Sequence, residues 1–266
     1  MPGRLLTYFS KTGTAFLHPG EKTATALLLR KLQPQEAEHI LELGFGTGAT
    51  LVQLHAMQSK ALIYGLEKNA SMLAMANKRL RCCGLGKKIT LFAVDHTNVI
   101  PFEAASMDSV YAESVLALSE GDSLRSMLQQ IHTILKPGGK LCMNELLWMQ
   151  HVSKQHMEEM NAQIQEIFGM PQANTTCSDI TAWKDLLRDC GFELLETMNL
   201  DTVTANAYHL PFSWKAFISD CFTLFYKARG VLHSTLRKER KQYRKEMRAI
   251  HREKILEPWL ICAIKK

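Results

Sequence analysis

The tightest constraint on this 266-residue chain is a run of seven residues, Glu42-Leu-Gly44-Phe-Gly46-Thr-Gly48. It follows a short apolar stretch (39–43) and opens a segment of helical period (49–57). Glycines let a backbone turn sharply and approach a ligand, and the start of a helix offers unpaired N–H groups. With Ala49 the run also satisfies the dinucleotide fingerprint G-x-G-x-x-G/A. Glu67 stands about 20 residues on, where that fingerprint needs an acid to accept from ribose hydroxyls. The loop alone leaves an NAD-dependent oxidoreductase open. Against that reading, the Tyr-x-x-x-Lys spacing of Tyr64 and Lys68 belongs to the second strand and offers no catalytic pair.

The pattern around the loop fixes the fold class. Apolar, strand-like runs at 39–43, 61–66, 89–94, 108–112 and 140–147 alternate with helical periods at 49–57, 70–82 and 122–135. Strand–helix–strand repeats at this spacing predict an α/β fold, a parallel sheet with helices on both faces. Beyond residue 148 the rhythm predicts helices at 154–168 and 180–190 and strands at 192–200 and 259–264. The residues between those last strands are too many for a hairpin loop, so they predict a structured insertion. Two helices are expected in it, 213–229 with Ser213 at its start and Gly230 as its stop, and 231–254. The expected division is a core with an N-terminal segment (1–200), a helical lid (201–257) and the last core strand (258–266).

Composition excludes several function classes. The seven cysteines contain no C-x-x-C, so neither a disulfide framework nor a metal site is expected, and Cys142 and Cys262 read as core residues. No apolar run is long enough for a membrane span, and MPGRLLTYFSKTG lacks the apolar core of a secretory signal, so a cytoplasmic protein is expected. The net charge of +6 is local: 227–254 holds eleven Lys/Arg against three Glu. A solvated helix face explains that segment, with an acidic substrate, anionic membrane surface or acidic partner as the alternative; nucleic acid is not expected, because Tyr243 is the only aromatic beside the charge. The rival reading is a non-catalytic protein that docks nucleic acid or protein through the basic helix 231–254.

Three further features separate the readings of the loop. Glu42 precedes the glycines by two positions, Asp95 followed by His96 ends the third strand, and Leu135-Lys-Pro-Gly-Gly-Lys140-Leu leads into the fifth. In this order the chain resembles the class I S-adenosylmethionine-dependent methyltransferases over residues 35–200 and the last strand. The Phe16-x-His18-Pro-Gly20 lead-in is similar to that of the ubiquinone/menaquinone-biosynthesis and sterol-type C-methyltransferases. The resemblance implies a Rossmann-like, mostly parallel seven-stranded sheet in the order 3-2-1-4-5-7-6, its last strand antiparallel. It also implies S-adenosylmethionine as methyl donor, S-adenosylhomocysteine as product and a small-molecule acceptor.

The same resemblance assigns roles to residues. Gly44, Gly46 and Gly48 would pack against the methionine and ribose, Glu67 would hold the ribose hydroxyls with Lys68 beside it, and Asp95 and His96 would meet the adenine. Met72 is placed to reach the adenine edge or to pack in the core. Glu42 would either cap the loop or touch the cofactor. Tyr8 lies in a segment that folds over the cofactor in similar enzymes. Glu113 falls where the fourth strand faces the acceptor, as a base or as an orienting group. Its Ala-Glu-Ser-Val context lacks the N/D-P-P motif of enzymes that methylate amino groups of bases or glutamine. His18, before a proline, reads as a turn residue. Tyr208 and Trp214 belong to a cluster that holds seven of the 21 aromatics between 208 and 226. That cluster reads as the lining of an apolar acceptor pocket, as packing within the lid, or as a homodimer face.

Overall fold

The first five apolar runs predicted as strands lie side by side and parallel, as sequences buried on both faces do. In the computed structural model, residues 4–94, 99–203, 210–250 and 254–266 are described. The strands are β1 (His39–Leu43), β2 (Leu62–Glu67), β3 (Ile89–Ala93), β4 (Met107–Glu113), β5 (Leu135–Trp148), β6 (Phe192–Asn199) and β7 (Leu256–Lys265). They form one seven-stranded sheet in the order β3-β2-β1-β4-β5-β7-β6, with β7 antiparallel to both neighbours. The reversal between β1 and β4 opens a crevice at the carboxyl edge, and the glycine loop sits there.

Strand alternation sends successive side chains to opposite faces. Leu41, Val110, Ala112, Leu141, Met143, Ile261 and Ala263 enter one core with α5 (Gly121–Ile134) and α7 (Ile180–Asp189). Ile40, Tyr111, Cys142, Leu260 and Cys262 enter the other, under α2 (Glu21–Leu32), α3 (Ala49–Met57) and α4 (Ala70–Cys82). By the same period of two, Glu42, Glu113 and Asn144 face the α2–α3 side, one step further along β1, β4 and β5.

Two local expectations change. Lys136–Gly139 is a bulge inside β5 instead of a turn before it: Met107 pairs with Leu135 and Ser109 with Lys140, so four residues loop out opposite Asp108. Lys136 pins the bulge by an ion pair to Asp108 at 2.7 Å, which with the His39 N–H holds that carboxyl below its usual range against the opposing effect of burial. The other change concerns Gly230, which does not stop a helix. The insertion holds α8 (Trp214–Leu232) and α9 (Ser234–Ile250), and Gly230 lies buried within α8, where a Cβ would meet the Thr12 methyl at 3.3 Å. Absence of a side chain lets α8 approach the end of α1 (Arg4–Lys11). α8 rests on α3 and α4, while α9 returns onto α1 and α6 (Lys154–Phe168) through Tyr243 and Met247.

Candidate cofactor and acceptor site

All three glycines of the loop have left-handed backbone, with φ of +67° at Gly44, +53° at Gly46 and +77° at Gly48. A side chain at Gly44 would strike Val115, and one at Gly48 would press on Ala76 of α4. Gly46 differs: its nearest neighbour would be Leu17 Cδ1 at 3.7 Å, which leaves open space beside the loop backbone. Phe45, between them, tucks under the loop against Gly65 of β2, a strand position where no Cβ fits.

Glu67 clasps this loop. Gly46 N–H donates to its Oε2 and Asn69 N–H to its Oε1, both at 2.8 Å. Burial raises the Glu67 pKa, opposed by backbone N–H donors from Asn69, Gly46 and Lys68. Asn69 in turn caps α4 by accepting from Ser71 and Met72 N–H. Glu42 sits behind the loop, buried, and accepts from the Tyr111 hydroxyl at 2.8 Å. Burial and the nearby Glu113 charge push its pKa well above the ordinary carboxylate range. Its described partner is therefore a β4 hydroxyl and not the loop backbone.

The carboxylate expected to meet the acceptor is occupied instead by the protein's own donors. Thr25 of α2 donates to Glu113 Oε2 at 2.8 Å and Thr50 of α3 to Oε1 at 2.9 Å. His18 Nε2 lies 2.9 Å from Oε2, and the Glu113 side chain is only 5% exposed. Burial alone would raise the Glu113 pKa, but the His18 charge and the three donors outweigh it and lower it. Burial alone would lower that of His18, and Glu113 reverses this and raises it. The two form an ion pair inside the protein, and the Asn144 side-chain amide lies 3.0 Å from His18 Nδ1, where the ring N–H calls for the amide oxygen. His18 is thus a buried partner of β4 and not a simple turn residue.

A second carboxylate, Glu145, points to the opposite face and accepts from the N–H groups of Val115, Leu116 and Ala117, the turn that follows Glu113. Burial lifts its pKa to about 7 against those three donors. Between the two acids Ser114 adopts φ +56°, rare for a residue with a Cβ. Its buried hydroxyl has no partner among the described residues.

Arg79 of α4 joins the surrounding pieces. It is fully buried, and its guanidinium donates to Thr47 O and Oγ1 in the glycine loop, to Gly13 O in the N-terminal segment, and to Ser219 O, Ser219 Oγ and Thr223 Oγ1 of α8. Phe222 covers it at 4.8 Å. Burial lowers its pKa to about 10, which still leaves it charged at neutral pH. Its place was readable in part: Met72, Met75, Ala76, Arg79, Leu80 and Cys83 share one helical stripe, and a lone cation among apolar residues marks a buried arginine. Thr25, Thr50 and Asn144 carry no such signal.

The remaining expected site residues divide three ways. Met72 is buried on α4 beside the Glu67 clasp, and Lys68 is exposed next to it. Tyr8 stacks on Tyr243 of α9 at 5.8 Å, which commits its ring to packing between helices. Trp214 stands exposed at the start of α8, edge-on to Phe212 and Phe217. It does not line the cavity of about 380 Å³ that opens between α2, α3 and α8, although Leu210, Phe212 and Phe217 do. Of the aromatic cluster, Phe212 and Phe217 thus line this cavity, while Trp214 and Phe225 are exposed. Asp95, His96 and Tyr208 lie outside the described residues.

A methyltransferase-domain family model matches residues 40–139. The chain is 31% identical to the uncharacterized methyltransferase YodH of Bacillus subtilis over 198 residues, 74% of this chain and 78% of that protein. It is 25% identical to the sterol 4-C-methyltransferase strm-1 of Caenorhabditis elegans, covering 73% of this chain and 58% of that one. Its fold matches geranyl diphosphate C-methyltransferase of Streptomyces coelicolor, solved with S-adenosyl-L-homocysteine, at a TM-score of 0.60 and 15% identity over 92% of this chain and 77% of that one. Glycine loop, β2 acid, sheet order and these likenesses agree, and the chain belongs to the class I S-adenosylmethionine-dependent methyltransferases.

Proposed function

We propose that this protein methylates a small, largely apolar molecule at the carboxyl edge of β4 and β5. The observation that carries the reading is the Glu67 clasp beside the open side of Gly46. A buried acid held against a left-handed loop fits a ribose, whose hydroxyls donate to a carboxylate. S-adenosylmethionine, when bound, supplies a methyl carbon whose bond to sulfur breaks as the bond to the acceptor forms. Gly44, Gly46 and Gly48 would hold its methionine side, Glu67 its ribose, and Asp95 and His96 its adenine.

The chain's own contribution is to place the acceptor. Thr25, Thr50 and His18 occupy both oxygens of Glu113, so that carboxylate faces the protein's own donors in this arrangement. Alignment and exclusion of water then supply the acceleration, which in well-oriented systems reaches about 7–11 kcal/mol. Ser114 Oγ, buried and unpartnered among the described residues, is the group offered to a polar atom of the acceptor. The names of the relatives, one acting on a sterol and one on geranyl diphosphate, support an apolar acceptor. The insertion 201–257 serves as the lid of this site, fastened through Arg79. A cytoplasmic location is supported by seven free thiols, and no described helix is long and apolar enough to cross a membrane.

Calorimetric titration with S-adenosylhomocysteine, paired with NAD, tests the cofactor reading. Micromolar binding of the first, about −8 kcal/mol, with none of the second is expected. Transfer of label from methyl-labelled donor to a panel of sterols, prenyl compounds and phenols tests the acceptor. Transfer confined to polar amines would refute the apolar assignment.

A further inference from the structure

α8 is amphipathic the wrong way round for a helix packed on a domain. Its small and polar residues, Ala216, Ser219, Thr223 and Gly230, face inward with Phe222. Trp214, Phe217, Leu224, Phe225, Val231 and Leu232 face outward, with exposures of 70, 49, 66, 63, 43 and 85%. At 3.6 residues per turn the outward residues, together with Ile218, Cys221 and Ala228, fill an arc of about 140° that contains no charge, along about 27 Å of helix. An uninterrupted apolar face of this length calls for a partner.

The next helix supplies charge of one sign. On α9, Arg237, Lys238, Lys241, Arg244 and Lys245 are exposed at spacings that share one side, while Tyr243 and Met247 turn inward to α6 and α1. None of these five makes an ion pair among the described residues. We infer that the α8–α9 hairpin docks this protein on an anionic phospholipid surface, with the α8 face in the acyl boundary and α9 over the headgroups. Aromatic and aliphatic side chains on one face, next to lysines and arginines, are what an interfacial helix requires. A second copy fits less well. A strip about 27 Å long and about 10 Å wide buries only a few hundred Å² per partner, against roughly 800 Å² for a standard interface. The two acids of α9 are engaged elsewhere, Glu239 with Lys11 and Glu246 with Gln242, and do not offset the charge that pairing would bring together. The inference stands apart from the methyl acceptor, since the face exists whatever the site methylates. If both hold, the enzyme sits where apolar acceptors dissolve.

The test is co-sedimentation of the full chain with vesicles of phosphatidylcholine alone and of phosphatidylcholine with phosphatidylglycerol, in low and high salt. Binding to the mixed vesicles that weakens with salt, with a blue shift of tryptophan emission, is expected. Leu224→Glu with Phe225→Glu, both on the outward face, should abolish it and leave S-adenosylhomocysteine affinity unchanged. Lys238→Gln, Lys241→Gln and Lys245→Gln together should weaken it about a hundredfold, since each cation near an anionic surface is worth about 1 kcal/mol, or fivefold. Absence of binding to either vesicle overturns the inference, as does equal binding to both. A dimer that Leu224→Glu/Phe225→Glu dissociates, without vesicle binding, overturns it in favour of a second copy. Failure of the S-adenosylhomocysteine titration alone would strike the proposed function and leave the docking intact.

Discussion

His18 Nε2 and Glu113 Oε2 lie 2.9 Å apart inside the protein, and this ion pair joins the N-terminal segment to the end of β4. Thr25 and Thr50 complete the carboxylate's shell from α2 and α3. The pair therefore fastens three pieces of chain behind the reaction edge. Glu113→Gln leaves a buried imidazolium without its counter-charge and should cost about 3–5 kcal/mol of stability. Its pH signature follows from the two directions. The raised His18 pKa gives stability that is present below about 6.5 and lost as pH rises through the folded value. The lowered Glu113 pKa gives stability that is present above about 4.5 and lost as pH falls through its folded value. The gap between wild type and Glu113→Gln in urea denaturation should be widest between those limits and narrow on both sides; a gap independent of pH would dismiss the ion pair.

Glu145 should act in the opposite sense over a similar range. Its folded pKa, about 7, exceeds the ordinary 4.5, so the folded state keeps a proton that the unfolded chain has lost. This contribution declines as pH rises from 4.5 towards 7. Glu145→Gln, which keeps an oxygen for the turn at 115–117, should flatten that decline. Denaturation curves of the two proteins at pH 5 and pH 8 would show it, and parallel pH dependence would count against it.

Arg79→Ala would strip the partners from oxygens of Gly13, Thr47, Ser219 and Thr223 at once. With each buried group left unsatisfied costing about 1–3 kcal/mol, a loss of at least about 3 kcal/mol is expected. Lysine cannot reproduce the planar fork, so Arg79→Lys should recover little. Limited proteolysis should cut the two variants first around residues 10–20 and 210–235, and unchanged cleavage would mean that α8 is held by other contacts.

Gly46→Ala and Gly44→Ala should part company. Both impose left-handed backbone on alanine, at about 1–2 kcal/mol. Only Gly44→Ala also collides with Val115, so it should unfold more readily. Gly46→Ala should fold but fill the space beside the loop, lowering S-adenosylhomocysteine affinity at least about tenfold. Glu67→Ala should lower it further, by about 3–6 kcal/mol for two lost charge-assisted hydrogen bonds. Calorimetry reads both, and wild-type affinity in Glu67→Ala would remove the acid from the site.

The sequence by itself determined the strands of the sheet and the cofactor loop, while the strand order came only with the resemblance to a known family. Strands and loop rest on short-range rules: strands buried on both faces read as apolar runs, glycines mark left-handed turns, and an acid after β2 answers the loop. Glu67 and Gly46 meet because the chain between them is one helix and one neighbouring strand. Only the tertiary structure decided the rest. His18 meets Glu113 across 95 positions of sequence, and Arg79 meets Ser219 across 140. No local spacing encodes such pairs; they depend on which helix lies over which strand. The orientation of α8 is the clearest instance. Its apolar period is plain in the sequence, yet a helical period fixes only that one face is apolar. Arg79 sets which face turns inward: it draws Ser219 and Thr223 to its guanidinium, and the aromatic side is left to the outside.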